Sequence, residues 1–144
     1  MRTYIPDYSD VGISRERYRE LLHHCRQYRE WKAEASSLIG VGAQQYSVMP
    51  HGSDPGDPVG RAVIRRELLL AKCASIERIA DAIDGGQWRA ALLQNICLGI
   101  PLYCIDPVIM PTSRRNEYFK RKRDFFILLN AELNHRDTLG ALNT

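Results

Sequence analysis

The sequence predicts an all-α fold with a long N-terminal helical hairpin followed by three shorter helices. Three observations carry this reading. Two long segments place apolar residues at three- and four-residue spacing. Glycine and proline clusters punctuate the chain between such segments. No convincing strand and no internal repeat is found in the 144 residues.

Residues 1–12, rich in Tyr, Asp and Pro, read as a flexible arm. Ser14 then offers an N-cap, because its hydroxyl can accept from a free backbone N–H. Ile13 and Tyr18 stand where a hydrophobic staple would put them. The helix they open presents Tyr18, Leu21, Leu22, Cys25, Tyr28, Trp31, Ala35 and Leu38 on one face, and Arg15, Glu16, Arg19, Glu20, Arg26, Arg29 and Glu30 on the other. Gly40 and Gly42 are expected to end it. Residues 40–57 read as a loop, with the strong turn sequence HGSDPGDP reaching into the next start. There Asp57 is the cap and Pro58 the first helical residue. The second stripe is Val59, Ala62, Val63, Leu69, Cys73, Ile76, Ala80 and Ile83, stopped by Gly85-Gly86. Two such helices joined by a loop make an antiparallel hairpin over 13–86, which is expected to oligomerise.

The elements then shorten. QWRAALLQNICL (87–98) is a short helix broken by Gly99. Residues 101–106 can hold one or two turns, and Pro107 and Pro111 keep that piece from running on. Thr112 or Ser113 caps a last helix of about five turns ending near Asn134. Residues 135–144 are expected to fray as a tail.

Composition sets limits on function. Hydrophobic residues make up 44% and charged residues 26%, ordinary values for a globular chain. The N-terminal MRTYIPDYSD lacks the apolar core of a signal peptide, and no apolar run approaches the ~18 residues of a membrane span. A cytoplasmic protein with no membrane partner is therefore expected. Cys25, Cys73, Cys97 and Cys104 are widely spaced and read as reduced thiols. His23, His24, His51 and His135 do not combine with them at zinc spacing. Asp54, Asp57, Asp81 and Asp84 read as turn, cap or helix-end residues. No phosphate loop, nucleophile elbow or HExxH is present. No enzyme activity, cofactor or metal is expected.

Charge is the informative feature. The chain carries +3 overall, yet residues 113–123 alone carry +5, from Arg114, Arg115, Lys120, Arg121, Lys122 and Arg123 against Glu117; the remainder is therefore −2. Such concentration is what a polyanion-binding element needs. In the same segment Tyr118, Phe119, Phe126, Leu129 and Leu133 fall on or near one side, so the helix would anchor in the core by its C-terminal half and project cations from its N-terminal half. The order of a short helix, a Gly-marked turn, a small second helix and a basic third is that of a helix-turn-helix unit, here over 87–134. On that reading Arg114, Arg115 and Asn116, in the first turn, would contact base edges. Lys120, Arg121 and Arg123 would contact phosphates. The competing reading is a solvated helix face with no ligand.

Three patches, ISRERYRELLHHCRQYREWK (13–32), GDPVGRAVIRREL (56–68) and PTSRRNEYFKRKRDFFILL (111–129), resemble a family of small proteins encoded by prophages of Gram-positive bacteria, the ArpU- and RinA-like late transcriptional regulators. The resemblance implies an all-helical protein whose C-terminal part is similar to the promoter-reading helix-turn-helix of sigma factors. It implies that Arg114, Arg115, Asn116, Tyr118 and Arg123 lie on the recognition helix. It departs at LYCIDPVIMP, where a fuller helix would be expected and Pro107 interrupts. The expected partners are double-stranded DNA, host RNA polymerase and a second copy in a homodimer, in the cytoplasm of a bacterial host. The alternative is a phage structural or assembly protein, either a small terminase-like DNA packaging factor or a helical adaptor.

Overall fold

A computed structural model describes the backbone of residues 5–48 and 57–142 and the side chains of 5–38 and 57–138. The α-helices are α1 (Arg15–Arg26), α2 (Tyr28–Val48), α3 (Pro58–Ala82), α4 (Arg89–Leu92) and α5 (Arg115–Leu142). A π-helical turn, Leu93–Cys97, continues α4, and 3-10 turns lie at Ser9–Val11, Asp84–Gly86, Leu102–Cys104 and Thr112–Arg114. No strand occurs among the described residues; Tyr8 and Ile13 form an isolated antiparallel bridge. The all-α class is therefore as the sequence indicates.

The chain divides into two compact units. One is built from the chain up to Arg26 and from Ile76 onward, the other from Gln27–Ser75. The division differs from the expected hairpin over 13–86, because α1 belongs with the C-terminal elements. Its buried residues Tyr18, Leu21 and Cys25 face α5 and the π-turn. The Tyr18 and Phe126 ring centroids lie 4.8 Å apart. Arg17 adds polar ties to α5, its Nε donating to Asn130 Oδ1 at 2.7 Å and its Nη2 to Asn134 Oδ1 at 2.9 Å. The expected single helix is broken at Gln27, which a stripe running through Tyr18, Leu21, Cys25, Tyr28 and Trp31 without interruption does not signal.

Local chemistry accounts for the ends. Ser14 Oγ accepts from Arg17 N at 3.1 Å, capping α1. Asp57 Oδ1 accepts from Val59 N at 3.0 Å, capping α3. Three successive residues with positive φ, Asp84 (49°), Gly85 (69°) and Gly86 (83°), turn the chain after α3. The π-turn ends with Leu98 N donating to Leu93 O and Ile100 N to Gln94 O, both at 3.0 Å, and between them Gly99 takes the left-handed conformation, φ +71°.

Four expectations are corrected. Residues 8–12 are not a free arm: Tyr8 is buried, with its ring centroid 5.8 Å from Tyr18 and 6.0 Å from Phe126. Gly40 and Gly42 do not stop α2, which runs to Val48. A glycine inside a helix costs ~1 kcal/mol rather than forbidding it, so glycine alone does not end a helix. Of the loop expected over 40–57, residues 40–48 are helical and residues 49–56 lie outside the described residues. The last helix has 28 residues and extends through the expected tail to Leu142. It is entered through the Thr112–Arg114 turn, whose N-cap residue is Pro111 with no side-chain cap bond, rather than by a Thr112 or Ser113 cap.

Within Gln27–Ser75, α2 and the first part of α3 meet in antiparallel order. Cys73 Sγ contacts Tyr28 O at 3.9 Å, Lys72 Nζ sits 5.1 Å from the Trp31 ring centroid, and Arg65 pairs with Glu34 at 3.2 Å. Trp31, Ala35, Leu69 and Cys73 are buried. Val63, Ile64 and Leu68 are 54%, 63% and 55% exposed. Val63, expected on the core stripe, is thus turned outward.

Candidate nucleic-acid interface

The basic run separates into three faces of α5 and its entry turn. The first is the core stripe, where Tyr118, Lys122, Phe125 and Leu129 follow one another at four- and three-residue spacing. Tyr118 is 0% exposed, and its hydroxyl donates to Asn95 Oδ1 at 2.7 Å. Burial drives its phenol pKa far up. This corrects its expected place among DNA-contacting residues: a ring sealed in the core reaches no groove. Lys122, on the same stripe, is half-buried. Burial, with the Arg26 charge acting second, pushes its ammonium down to about 8.

The second face is an ion-pair network centred on Asp84. Asp84 Oδ2 accepts from Trp88 Nε1 at 2.9 Å and Gln87 Nε2 at 2.6 Å, and lies 3.5 Å from Arg121 Nη2. Arg121 also reaches Asp124 at 3.7 Å and Glu117 at 3.9 Å. Arg114 forks onto Glu117 through two 3.1 Å bonds, and its guanidinium stacks 4.5 Å from the ring centroid of Trp88, which is buried. Both the fork and the stack are strong forms of arginine contact. Arg114, expected to read bases, and Arg121, expected on phosphates, are therefore held by their own chain.

The third face carries Arg115, Asn116, Phe119, Lys120 and Arg123. Arg115, Asn116 and Lys120 are exposed, and none has an acid or hydrogen-bond partner among the described residues. Arg123 pairs with Asp10 of the N-terminal segment. Phe119, a large ring 42% exposed, stands between the cations. Pro6, Asp7, Tyr8, Phe119, Lys120 and Arg123 line a cavity of about 420 Å³. The sequence placed Phe119 on the core side; the i+4 relation to Arg115 and Arg123 puts it on the exposed arc instead.

Between the π-turn that continues α4 and the start of α5 the described chain holds no helix longer than the three-residue turns Leu102–Cys104 and Thr112–Arg114. Ile105 and Met110 are buried and pin this connector. Asp106 Oδ1 caps it by accepting from Val108 N at 2.9 Å. The small second helix expected of a helix-turn-helix unit is thus one 3-10 turn, because Pro101, Pro107 and Pro111 prevent propagation. Cys25 and Cys97 are buried free thiols; a mutual hydrogen bond and burial push the Cys25 thiol well up. Among the described residues no three His, Cys, Asp or Glu side chains converge on a metal-sized site, and no helix is long and apolar enough to cross a membrane.

No family model, curated protein or solved structure matches this chain.

Proposed function

We propose that the chain is a DNA-binding transcriptional regulator of a phage or prophage, contacting duplex DNA through the exposed arc at the start of α5. The observation that carries this reading is that Arg115, Asn116 and Lys120, on one side of the first turns of that helix, are exposed and have no partner among the described residues. By contrast Arg114 of the entry turn and Arg121 and Arg123 of α5 each pair with an acid. Cations left without acids beside a helix N-terminus suit phosphate oxygens. Arg115 and Asn116 have the donor geometry for guanine and adenine edges. The resemblance of 13–32, 56–68 and 111–129 to late phage regulators supports the regulatory role and, as its finer part, contact with host RNA polymerase.

The test is binding to promoter fragments of the phage genome beside random duplexes. Arg115→Ala is expected to weaken specific binding by ~1–3 kcal/mol, the usual worth of a bidentate base contact. Lys120→Ala is expected to weaken all duplexes about equally. Failure to bind any duplex at ~50 mM salt, where phosphate contacts are strongest, would overturn the reading.

A second reading, a self-associating adaptor or packaging factor, is favoured by one observation. Val63, Ile64 and Leu68 leave an apolar strip on α3 more than half exposed. Tyr18 and Trp31 are buried within the chain, so these rings add nothing to that exposed strip. A homodimer through α3 is compatible with a regulator, whereas a ring is the mark of a packaging factor. Light scattering separates them. A monomer at tens of micromolar would remove both assemblies.

A further inference from the structure

We infer that the cavity between the N-terminal segment and α5 is a nucleotide site, taking an unstacked base against Phe119 and Tyr8 and its phosphate at Lys120. The inference deepens the DNA-binding reading and rests on the same helix, but it concerns a single nucleotide unit rather than the duplex. Four features of the cavity converge. Its volume, about 420 Å³, lies within the ~300–1,000 Å³ of small-molecule sites. Its floor is aromatic and apolar. Tyr8 is fixed from behind by Tyr18 and Phe126. Phe119 is held edge-on by Tyr118 at 5.9 Å between centroids, yet keeps 42% of its surface open. On a helix whose neighbouring aromatics Tyr118, Phe125 and Phe126 are fully buried, an open ring at a cavity wall is a stacking platform, since every base offers a π-face.

The rim supplies polarity of both kinds. Lys120 is a cation with no partner among the described residues, whereas Arg123 is already committed to Asp10. A phosphate therefore has one free cation to take. Asp7 lies on the opposite side of the chemistry. Its Oδ1 accepts from Ser9 N at 3.1 Å and Ser9 Oγ at 2.7 Å. Those donors keep the carboxylate ionised and oriented, and they leave Oδ2 open. A carboxylate oxygen accepts from an exocyclic base amine such as cytosine N4. The site therefore favours an amino-bearing base over uracil.

The experiment is calorimetric titration of the full chain with cytidine 5′-monophosphate, uridine 5′-monophosphate, ribose 5-phosphate and inorganic phosphate. Cytidine monophosphate is expected to bind at least tenfold more tightly than ribose 5-phosphate or phosphate, and more tightly than uridine monophosphate. Phe119→Ala and Lys120→Gln should each weaken it about tenfold, the scale of one stacked ring or one charged contact. Asp7→Ala should level cytidine and uridine monophosphates. Lys120 is solvent-exposed, so the thermal melt of Lys120→Gln should match the parent; Phe119→Ala gives up a partly covered ring and its edge contact with Tyr118, so it should melt somewhat lower while remaining folded at the titration temperature. Equal binding of ribose 5-phosphate, or an unchanged titration with Phe119→Ala, would overturn the assignment. An oligo-deoxycytidine that displaces the mononucleotide identifies an unpaired DNA strand as the source; one that does not identifies a free nucleotide. Arg115→Gln separates the two readings. It should weaken duplex binding and leave the mononucleotide titration unchanged. Nucleotide binding by a chain that ignores every duplex would sink the regulator and keep the site.

Discussion

Arg114 and Arg115 are chemically identical neighbours with opposite situations. Arg114 forks onto Glu117 and lies over the buried Trp88 ring, while Arg115 is exposed and unpaired. Arg114→Ala should therefore lower stability slightly, through loss of a partly exposed cation–π contact and a screened ion pair, read as a small drop in the midpoint of chemical denaturation. Lys122 gives a second expectation. Its folded pKa, about 8, lies below the ordinary lysine value of ~10.4, so between those values the unfolded chain binds more protons than the folded one. Stability from this group therefore rises as pH rises from about 8 towards ~10.4, and its penalty is fully present below 8. Lys122→Met, which keeps the buried stem and drops the charge, should stabilise the protein by ~0.5–2 kcal/mol at neutral pH. The parent-minus-variant difference in melting temperature should shrink through that alkaline window. The difference is the right quantity, because Tyr118 and Cys25, both raised, push stability the other way with rising pH.

Elements follow sequence where the decisive chemistry is local. The Ser14 and Asp57 caps and the Gly85-Gly86 stop each act within a few residues, and each is readable. The break at Gln27 is not, because the apolar spacing passes straight through it. Arg26, the residue before the break, donates from Nε to Ile96 O at 2.7 Å, a contact set by tertiary packing. The same arginine explains why Gly99 is glycine. Its φ of +71° is left-handed, and a Cβ there would stand 2.9 Å from Arg26 Nη1. Gly99→Ala should cost ~1–3 kcal/mol through strain and displacement of that guanidinium. A melting temperature equal to the parent's would contradict both the backbone strain and the Arg26 contact as reasons for glycine here.

The basic run itself was legible as composition. Which of its cations are available was only half legible. Glu117 and Asp124 stand three residues after Arg114 and Arg121, a helical pairing visible in the sequence. Asp84 and Asp10 come from distant parts of the chain, and no local pattern joins them to the helix. Tyr118 was misplaced for a related reason. A tyrosine beside cations resembles a base-stacking residue until the partner of its hydroxyl, Asn95, is known.

At the scale of the molecule, a chain of net charge +3 holds three of the six cations of its basic run, Arg114, Arg121 and Arg123, in ion pairs of its own and leaves Arg115 and Lys120 exposed to solvent. That division is the central claim, and the salt dependence of duplex binding measures it most directly. Each phosphate contact contributes ~0.9 to the slope of log affinity against log salt. The double variant Arg115→Gln, Lys120→Gln should therefore flatten the parent slope by roughly 2. Arg114→Gln should leave the slope unchanged while lowering the melting temperature. The opposite result, with the parent slope kept by the double variant and lost on Arg114→Gln, would contradict the account.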